Sequence, residues 1–367
     1  MLHCVFSACL AIAVVFPVFQ NADASSNLPA GDSNCLSQRQ LLAQLTGVMV
    51  PYEDFASLAP GAKSGELSLV GILGDPPVSE IESLKTTIAE LQLKSPVPLL
   101  FGSDEESRSV QRLEKLIYKL PSTRQLVASE PIVVEEIYRD YAEAMREIGF
   151  NIAFGPVVDV GDGPGIKRRS FAADTRTVSD TGNAVITGLT MGGVHPVIKH
   201  FPGHGNVNID SHKGLPLTQP LSGMLSELTV YRELFELWND NVSVMVGHLN
   251  VPDLTYGQPA SLSADAIAVL LREKMGFQGV VITDSLDMGA IARDSGQAAA
   301  GLRAILAGAD IALVSRWSEQ QKLLDTLQHA LQSGDLSLQA VERSAARVLM
   351  LKEHLTGQTV LKTVCGA

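Results

Sequence analysis

Val197 to Pro216 reads VIKHFPGHGNVNIDSHKGLP. The stretch starts apolar and then crowds Lys199, His200, His204, Asp210 and His212 into fourteen residues, around Pro202, Gly203 and Gly205. Proline removes a backbone donor and glycine favours turns, so no helix can run through it. It reads as a buried strand over 196–201 that opens into a loop of titratable groups. An α/β barrel or an open parallel sheet keeps its chemistry in that position, at the C-terminal ends of its strands.

Working outward, similar short apolar runs recur at 47–50, 69–73, 97–102, 152–158, 243–248, 280–283 and 310–314, which makes eight candidate strands. Several are apolar throughout rather than alternating, as parallel strands buried on both faces are. Helical patterns fill the gaps. Ser79-Glu80-Ile81-Glu82 has the form of a capping box, followed by Ile81, Leu84, Ile88 and Leu91 at helical spacing. Val134, Ile137, Tyr141, Ala144 and Ile148 form a second stripe ending at Gly149; Leu323, Leu324, Leu327 and Leu331 form a third ending near Gly334. Eight β/α alternations without a linker predict an α/β protein with one (β/α)8 TIM-type barrel, over residues 36–356. A doubly wound sheet is the alternative. Residues 25–35 read as an N-terminal linker and 357–367 as a C-terminal tail.

The net charge of −12 and the lack of Lys/Arg clusters speak against nucleic acid or an anionic membrane surface as partner. Val5 to Phe19 is apolar, and Ala22-Asp23-Ala24 fits a small-x-small cleavage site, so 1–24 reads as a signal peptide. The run is short for a membrane span, which needs about 20 apolar residues. The chain is therefore expected to be exported, periplasmic or secreted, with no stable membrane insertion after cleavage. Cys4 and Cys9 leave with the signal. Cys35 and Cys365 remain, one at each end of the barrel, placed to form a disulfide in an oxidising compartment. No Cys spacing suits a zinc ribbon.

The barrel rule sorts the polar residues. Strand three ends in Asp104, with Arg112 following; Asp159, Lys167, Arg168 and Arg169 follow strand four. Lys199 and His200 end strand five, with Asp210 and His212 in its loop; His248 ends strand six and Asp284 ends strand seven. An apolar barrel core needs none of these, so their common placement on one rim carries the signal. For any one of them alone the bland reading wins: Asp159 reads as a helix cap or turn residue, and His248 as a hydrogen-bonded core histidine. Two chemistries fit the set. In one, Asp284 is a nucleophilic carboxylate and His212 a proton donor oriented by Asp210, above a cationic cleft of Lys199, Arg169 and Arg112. In the other, His200, His204, His212 and Asp210 bind a metal that activates water, although the spacing matches no tight zinc pattern.

Lys199-His200-Phe201-Pro202-Gly203-His204-Gly205 followed by Asp210-Ser211-His212 resembles the signature of glycoside hydrolase family 3, in particular its bacterial β-N-acetylglucosaminidases that trim peptidoglycan fragments. Further pieces appear in family order: Phe154 to Asp159, Arg169-Ser170-Phe171, Pro259 to Ser263, and Gly276 to Met288. The similarity spans about Leu36 to Leu351. It implies a retaining exo-β-N-acetylglucosaminidase acting on GlcNAc-containing glycans or muropeptides. No cofactor and no metal are expected, and the chain is expected to be a monomer. Asp284 stands at the nucleophile's position, His212 at the acid/base's, and Asp210 at its partner's; Asp104, Arg112, Arg169, Lys199 and His200 stand where the sugar is held. We add His248, at the end of strand six, as a further substrate-binding residue. Other members take a carboxylate acid from a second domain, and the Asp-x-His loop points to the one-domain branch.

One piece departs from the pattern. Where the family usually reads Asp-Gln-Glu-Gly-Gly-Arg-Val-Gln-Arg, this chain has Asp104-Glu105-Glu106-Ser107-Arg108-Ser109-Val110-Gln111-Arg112. Asp104 and Arg112 remain, while the two glycines and the first arginine are replaced. A non-catalytic muropeptide-binding barrel and a metal-dependent barrel hydrolase are the alternative functions.

Overall fold

The eight apolar runs do become parallel strands in a computed structural model, which describes residues 35–207, 209, 211, 213–289, 291 and 296–360. They are β1 (Thr46–Pro51), β2 (Leu69–Leu73), β3 (Leu100–Ser103), β4 (Ile152–Ala153), β5 (His195–Phe201), β6 (Ser243–Val246), β7 (Val281–Thr283) and β8 (Ala312–Ser315). The sheet order is β8-β1-β2-β3-β4-β5-β6-β7. A parallel bridge, Ile282 to Ile311, and the Thr283 N–H to Ile311 carbonyl bond at 3.0 Å join the two ends. The sheet is a (β/α)8 barrel, and a doubly wound sheet is excluded.

Side chains fill the barrel. Met49, Leu69, Leu100, Ile152, Phe154, Val197, Met245, Ile282 and Leu313 form one buried cluster inside it, and a larger apolar layer lies between strands and helices. Two glycines make room for the upper layer. A Cβ at Gly71 would lie 2.1 Å from the Met49 sulfur, and one at Gly102 would lie 2.6 Å from the Phe154 ring. Phe154 and Met49 can therefore seal the barrel just beneath its C-terminal mouth.

Most helices follow their stripes. Ile81–Lys94 buries Leu84, Ile88 and Leu91; Pro131–Ile148 stops at Gly149 with φ 114°, and Trp317–Ser333 stops at Gly334 with φ 85°. The Ser79 capping box does not form. Val78–Glu80 winds as a 3₁₀ turn and Glu80 takes the cap position without a side-chain bond. Ser37 and Ser122 make the capping boxes instead. β3 and β4 are shorter than their apolar runs. Beyond Ala153 regular pairing gives way to one bridge, Val157 to Lys199, and to backbone bonds with Ser103, Val197 and Lys199. A hairpin that periodicity does not announce, Glu105–Ser107 paired with Val110–Gln111, rises directly from β3.

The expected signal segment, most of the linker, the end of the tail with Cys365, and Asp210 and His212 lie outside the described residues. Cys35 is disulfide-bonded. Among the described residues no helix is long and apolar enough to cross a membrane.

Candidate active site

At the C-terminal mouth a cleft of about 360 Å³ is lined by Asp104, Arg112, Asp284 and Asp287 above an apolar floor that includes Phe154, Met49 and Met245. Another cavity, of about 420 Å³, opens at the opposite end beside His195, Ser243, Arg347 and His354. That is the face where barrels keep stability rather than chemistry.

β5 supplies the centre of the mouth. Strand alternation would send Lys199 and His200 to opposite faces, but the register with β6 shifts between Lys199 and Phe201, and such an irregularity re-aims side chains. Lys199 Nζ lies 2.8 Å from Asp104 Oδ1 and 2.7 Å from Glu106 Oε1. Burial works against its charge, yet Asp104 and Glu106 outweigh that and raise the ammonium above its ordinary value. Arg169 clamps Glu106 through two bonds, Nε to Oε2 at 2.8 Å and Nη2 to Oε1 at 2.7 Å. Burial pushes the Glu106 carboxyl up, but Arg169 and Lys199 hold it well below the usual carboxylate range.

His200 continues the network. Arg169 Nη2 lies 3.0 Å from His200 Nε2. A guanidinium can only donate, so Nε2 accepts and the ring hydrogen sits on Nδ1. That nitrogen donates to Asp159 Oδ2 at 2.7 Å. Asp159 also accepts from the backbone N–H groups of His200 (3.2 Å) and His204 (2.6 Å). Burial opposes its charge, but His200 and these donors keep its carboxyl below the ordinary value. Asp159 therefore anchors the turn after β5 as well as the ring of His200.

Asp284 follows β7, and its backbone N–H donates to the Val246 carbonyl at 3.0 Å. Its carboxylate accepts from the Ser285 N–H at 2.8 Å. Burial raises the carboxyl, but His248, His200, Lys199 and the Ser285 N–H prevail and hold it below its ordinary value. An ionised carboxylate at the mouth is competent to attack an electrophilic carbon. Asp287 is exposed and accepts from the Ser285 hydroxyl at 2.8 Å.

The structure thus brings Asp104, Arg112, Arg169, Lys199, His200 and Asp284 together. His248 is close but placed differently from the expectation. It is fully buried; Nε2 lies 2.9 Å from the Ser285 carbonyl and Nδ1 2.7 Å from the Ser261 hydroxyl, so both ring nitrogens are occupied by protein. It supports the loop carrying Asp284 and offers no free ring atom to a ligand. His204 is also buried, and among the described residues neither ring nitrogen has a hydrogen-bond partner; burial lowers it to about 4. Among the described residues no three His, Cys, Asp or Glu side chains meet as a group able to hold a metal ion.

Sequence reading passed over Glu106, and it took Asp159 for a cap or turn. The signal for Glu106 was its spacing: in extended chain, residues 104 and 106 point the same way. Replacing Glu106 by Gln leaves Lys199 and Arg169 without their shared counter-charge. It should therefore cost about 3–5 kcal/mol of stability at neutral pH, as breaking a buried ion pair does. The lowered carboxyl sets the sign. The wild-type advantage is fully present above the unfolded value of about 4.5 and is lost progressively as pH falls below it toward the lowered folded value. Urea denaturation of both proteins at neutral and acid pH checks this.

Comparison with known proteins agrees with the geometry. The Glycosyl hydrolase family 3 N terminal domain matches residues 76–351. The chain is 40% identical over 337 residues to Beta-hexosaminidase LpqI of Mycobacterium tuberculosis, covering 88% of this chain and 85% of that one. It is 35% identical to a Beta-hexosaminidase of Xylella fastidiosa over 62% of this chain and 70% of the other. A crystal structure of a family member from Mycobacterium smegmatis superposes with a TM-score of 0.80 at 37% identity, covering 88% of this chain and 98% of that one. A family 3 β-N-acetylglucosaminidase from a Paenibacillus strain gives 0.80 at 30% identity, over 88% and 63%.

Proposed function

The chain belongs to glycoside hydrolase family 3 and is a glycoside hydrolase of the β-N-acetylhexosaminidase type, and from that premise we propose that it is a retaining, exo-acting β-N-acetylglucosaminidase of peptidoglycan fragments. Asp284 attacks the anomeric carbon, and the place of its carboxylate in the mouth cleft beside Asp104 and Arg112 is the observation that carries the reading. His212, oriented by Asp210, protonates the leaving oxygen. Water then hydrolyses the glycosyl-enzyme with His212 as base. A histidine suits this step because it titrates near neutrality and, once neutral, adds no negative charge beside Asp284. Asp104, Arg112 and the third donor of Lys199 bind the sugar, backed by Glu106, Arg169 and His200.

The peptidoglycan reading has support at the rim. Arg108 on the hairpin turn and Lys167 and Arg168 after β4 are exposed, in a chain whose net charge is −12. The two segments touch, since the Ser109 hydroxyl lies 3.5 Å from the Arg168 carbonyl. Local positive charge on an acidic protein favours an aglycone bearing carboxylates, such as a muropeptide. Aryl β-glycosides of GlcNAc, glucose and xylose, assayed beside a GlcNAc-terminated muropeptide, test the reading. GlcNAc substrates alone should turn over, with higher kcat/KM on the muropeptide at low salt. Equal turnover of the glucoside would refute the sugar assignment.

The protein is exported in this reading and acts as a monomer. The disulfide at Cys35 supports an oxidising compartment. If Cys365 is its partner, the bond closes a loop of roughly 330 residues and removes unfolded-state entropy worth on the order of 4–5 kcal/mol, an upper figure. Thiol titration of the denatured, unreduced mature chain should find no free thiol. Two free thiols would end the disulfide and weaken the export reading.

A further inference from the structure

Among the buried carboxylates that the mechanism does not use, one stands beside the sugar site. Glu105 lies between the residues assigned to the sugar, and hairpin alternation turns it away from the mouth toward helix Pro131–Ile148. Four donors converge on it. Oε1 accepts from the Ser103 hydroxyl at 2.6 Å and from the backbone N–H groups of Arg112 at 3.2 Å and Leu113 at 3.0 Å. Oε2 accepts from the Tyr141 hydroxyl at 2.7 Å. That phenol already accepts from Gln111 Nε2 at 2.9 Å. The Arg112 N–H is shared with the Asp104 carbonyl at 3.1 Å. One carboxylate therefore ties the end of β3, both hairpin strands and a barrel helix together, at the point where Arg112 is presented beside Asp104.

We propose that Glu105 is a positioning residue for the sugar site, whose ionised carboxylate fixes Arg112 against Asp104 and whose protonation loosens that pair. This rests on the β-N-acetylglucosaminidase reading. All four partners donate in the ionised state. A proton on Oε2 would need Tyr141 to accept it while still accepting from Gln111, which leaves the phenol hydrogen with no acceptor in a buried place. A glutamine at 105, the residue of the family pattern, imposes the same conflict through its NH₂ group at every pH.

The group titrates where the difference can be read. Burial pushes Glu105 up to about 7, against the pull of the Ser103, Tyr141 and Leu113 donors and with a further push from Asp104. The other charged and titratable groups around it are the Arg112 guanidinium, Glu106 with Lys199 and Arg169 on the mouth side, and Tyr138 and Tyr141 on the helix. A carboxyl raised by folding stabilises the fold fully below its unfolded value of about 4.5, and that contribution is lost as pH rises through about 7.

The test compares the full chain with Glu105→Gln, measuring KM and kcat on an aryl β-N-acetylglucosaminide, and Tm, from about pH 5 to about pH 9. Wild-type KM should fall roughly fivefold as pH rises through the window, the factor one hydrogen bond of ordinary strength carries. The variant's KM should stay flat at the weak value, with the kcat profiles parallel. The Tm of the wild type should decline relative to the variant between about pH 5 and 7. A variant whose KM follows the wild-type curve, or a loss confined to kcat, overturns the proposal. No turnover by the wild type would refute the activity instead, and the pH dependence of GlcNAc binding by calorimetry then decides the role of Glu105.

Discussion

Asp284→Asn should reduce turnover of every β-N-acetylglucosaminide by roughly four or more orders of magnitude, the scale on which removal of a single nucleophile or base acts. The carboxylate sits at the end of β7 with one short backbone bond, from the Ser285 N–H, and two basic residues of β5 within electrostatic reach. An amide there keeps the size and the Ser285 bond but cannot form the glycosyl ester. The fold should survive, because Asp284 is tied into the barrel chiefly through its backbone. Asp287→Asn serves as the neighbouring control. That side chain is exposed and, among the described residues, accepts from the Ser285 hydroxyl, so its loss should be small. Steady-state kinetics with both variants, alongside thermal melts, checks the contrast. Near-normal activity in Asp284→Asn would end the assignment.

The second large effect belongs to His212. Removing it should slow substrates with poor leaving groups by about 100- to 10,000-fold, the range assigned to general acid catalysis, and should affect activated aryl glycosides far less in the first step. Only the poor leaving groups need a proton as the bond breaks. Asp210→Ala should reproduce part of that loss, since the imidazole then has nothing to fix its tautomer. Equal losses across a series of leaving groups would make His212 a binding residue.

Much of this was legible in the sequence. Eight apolar runs gave the barrel, because strands buried on both faces cannot hide among polar residues. Asp104, Lys199, His200 and Asp284 could be placed on one rim because strand ends are positions that a sequence shows. What the sequence did not show was orientation. His248 has the type and place of a ligand, yet its ring is turned into the wall between Ser261 and Ser285. Glu105 and Glu106 are neighbours in the stretch that departs from the family pattern, and neither was singled out. A hairpin of three residues against two sends the first to Tyr141 and the second to Lys199 and Arg169. The partners of Glu106 lie 63 and 93 residues away in the chain, and nothing local announces such pairings. Ser79 failed as a cap for the opposite reason: its local pattern was right, but a 3₁₀ turn occupied the position.

The central claim is that Asp284 carries the sugar covalently. A GlcNAc analogue with an activated leaving group and a ring substituent that slows deglycosylation should trap the intermediate. Digestion and mass spectrometry should then place the sugar on the peptide containing Asp284, and the released product should have the β configuration. A sugar found on another carboxylate, or no adduct together with an α product, would contradict the account.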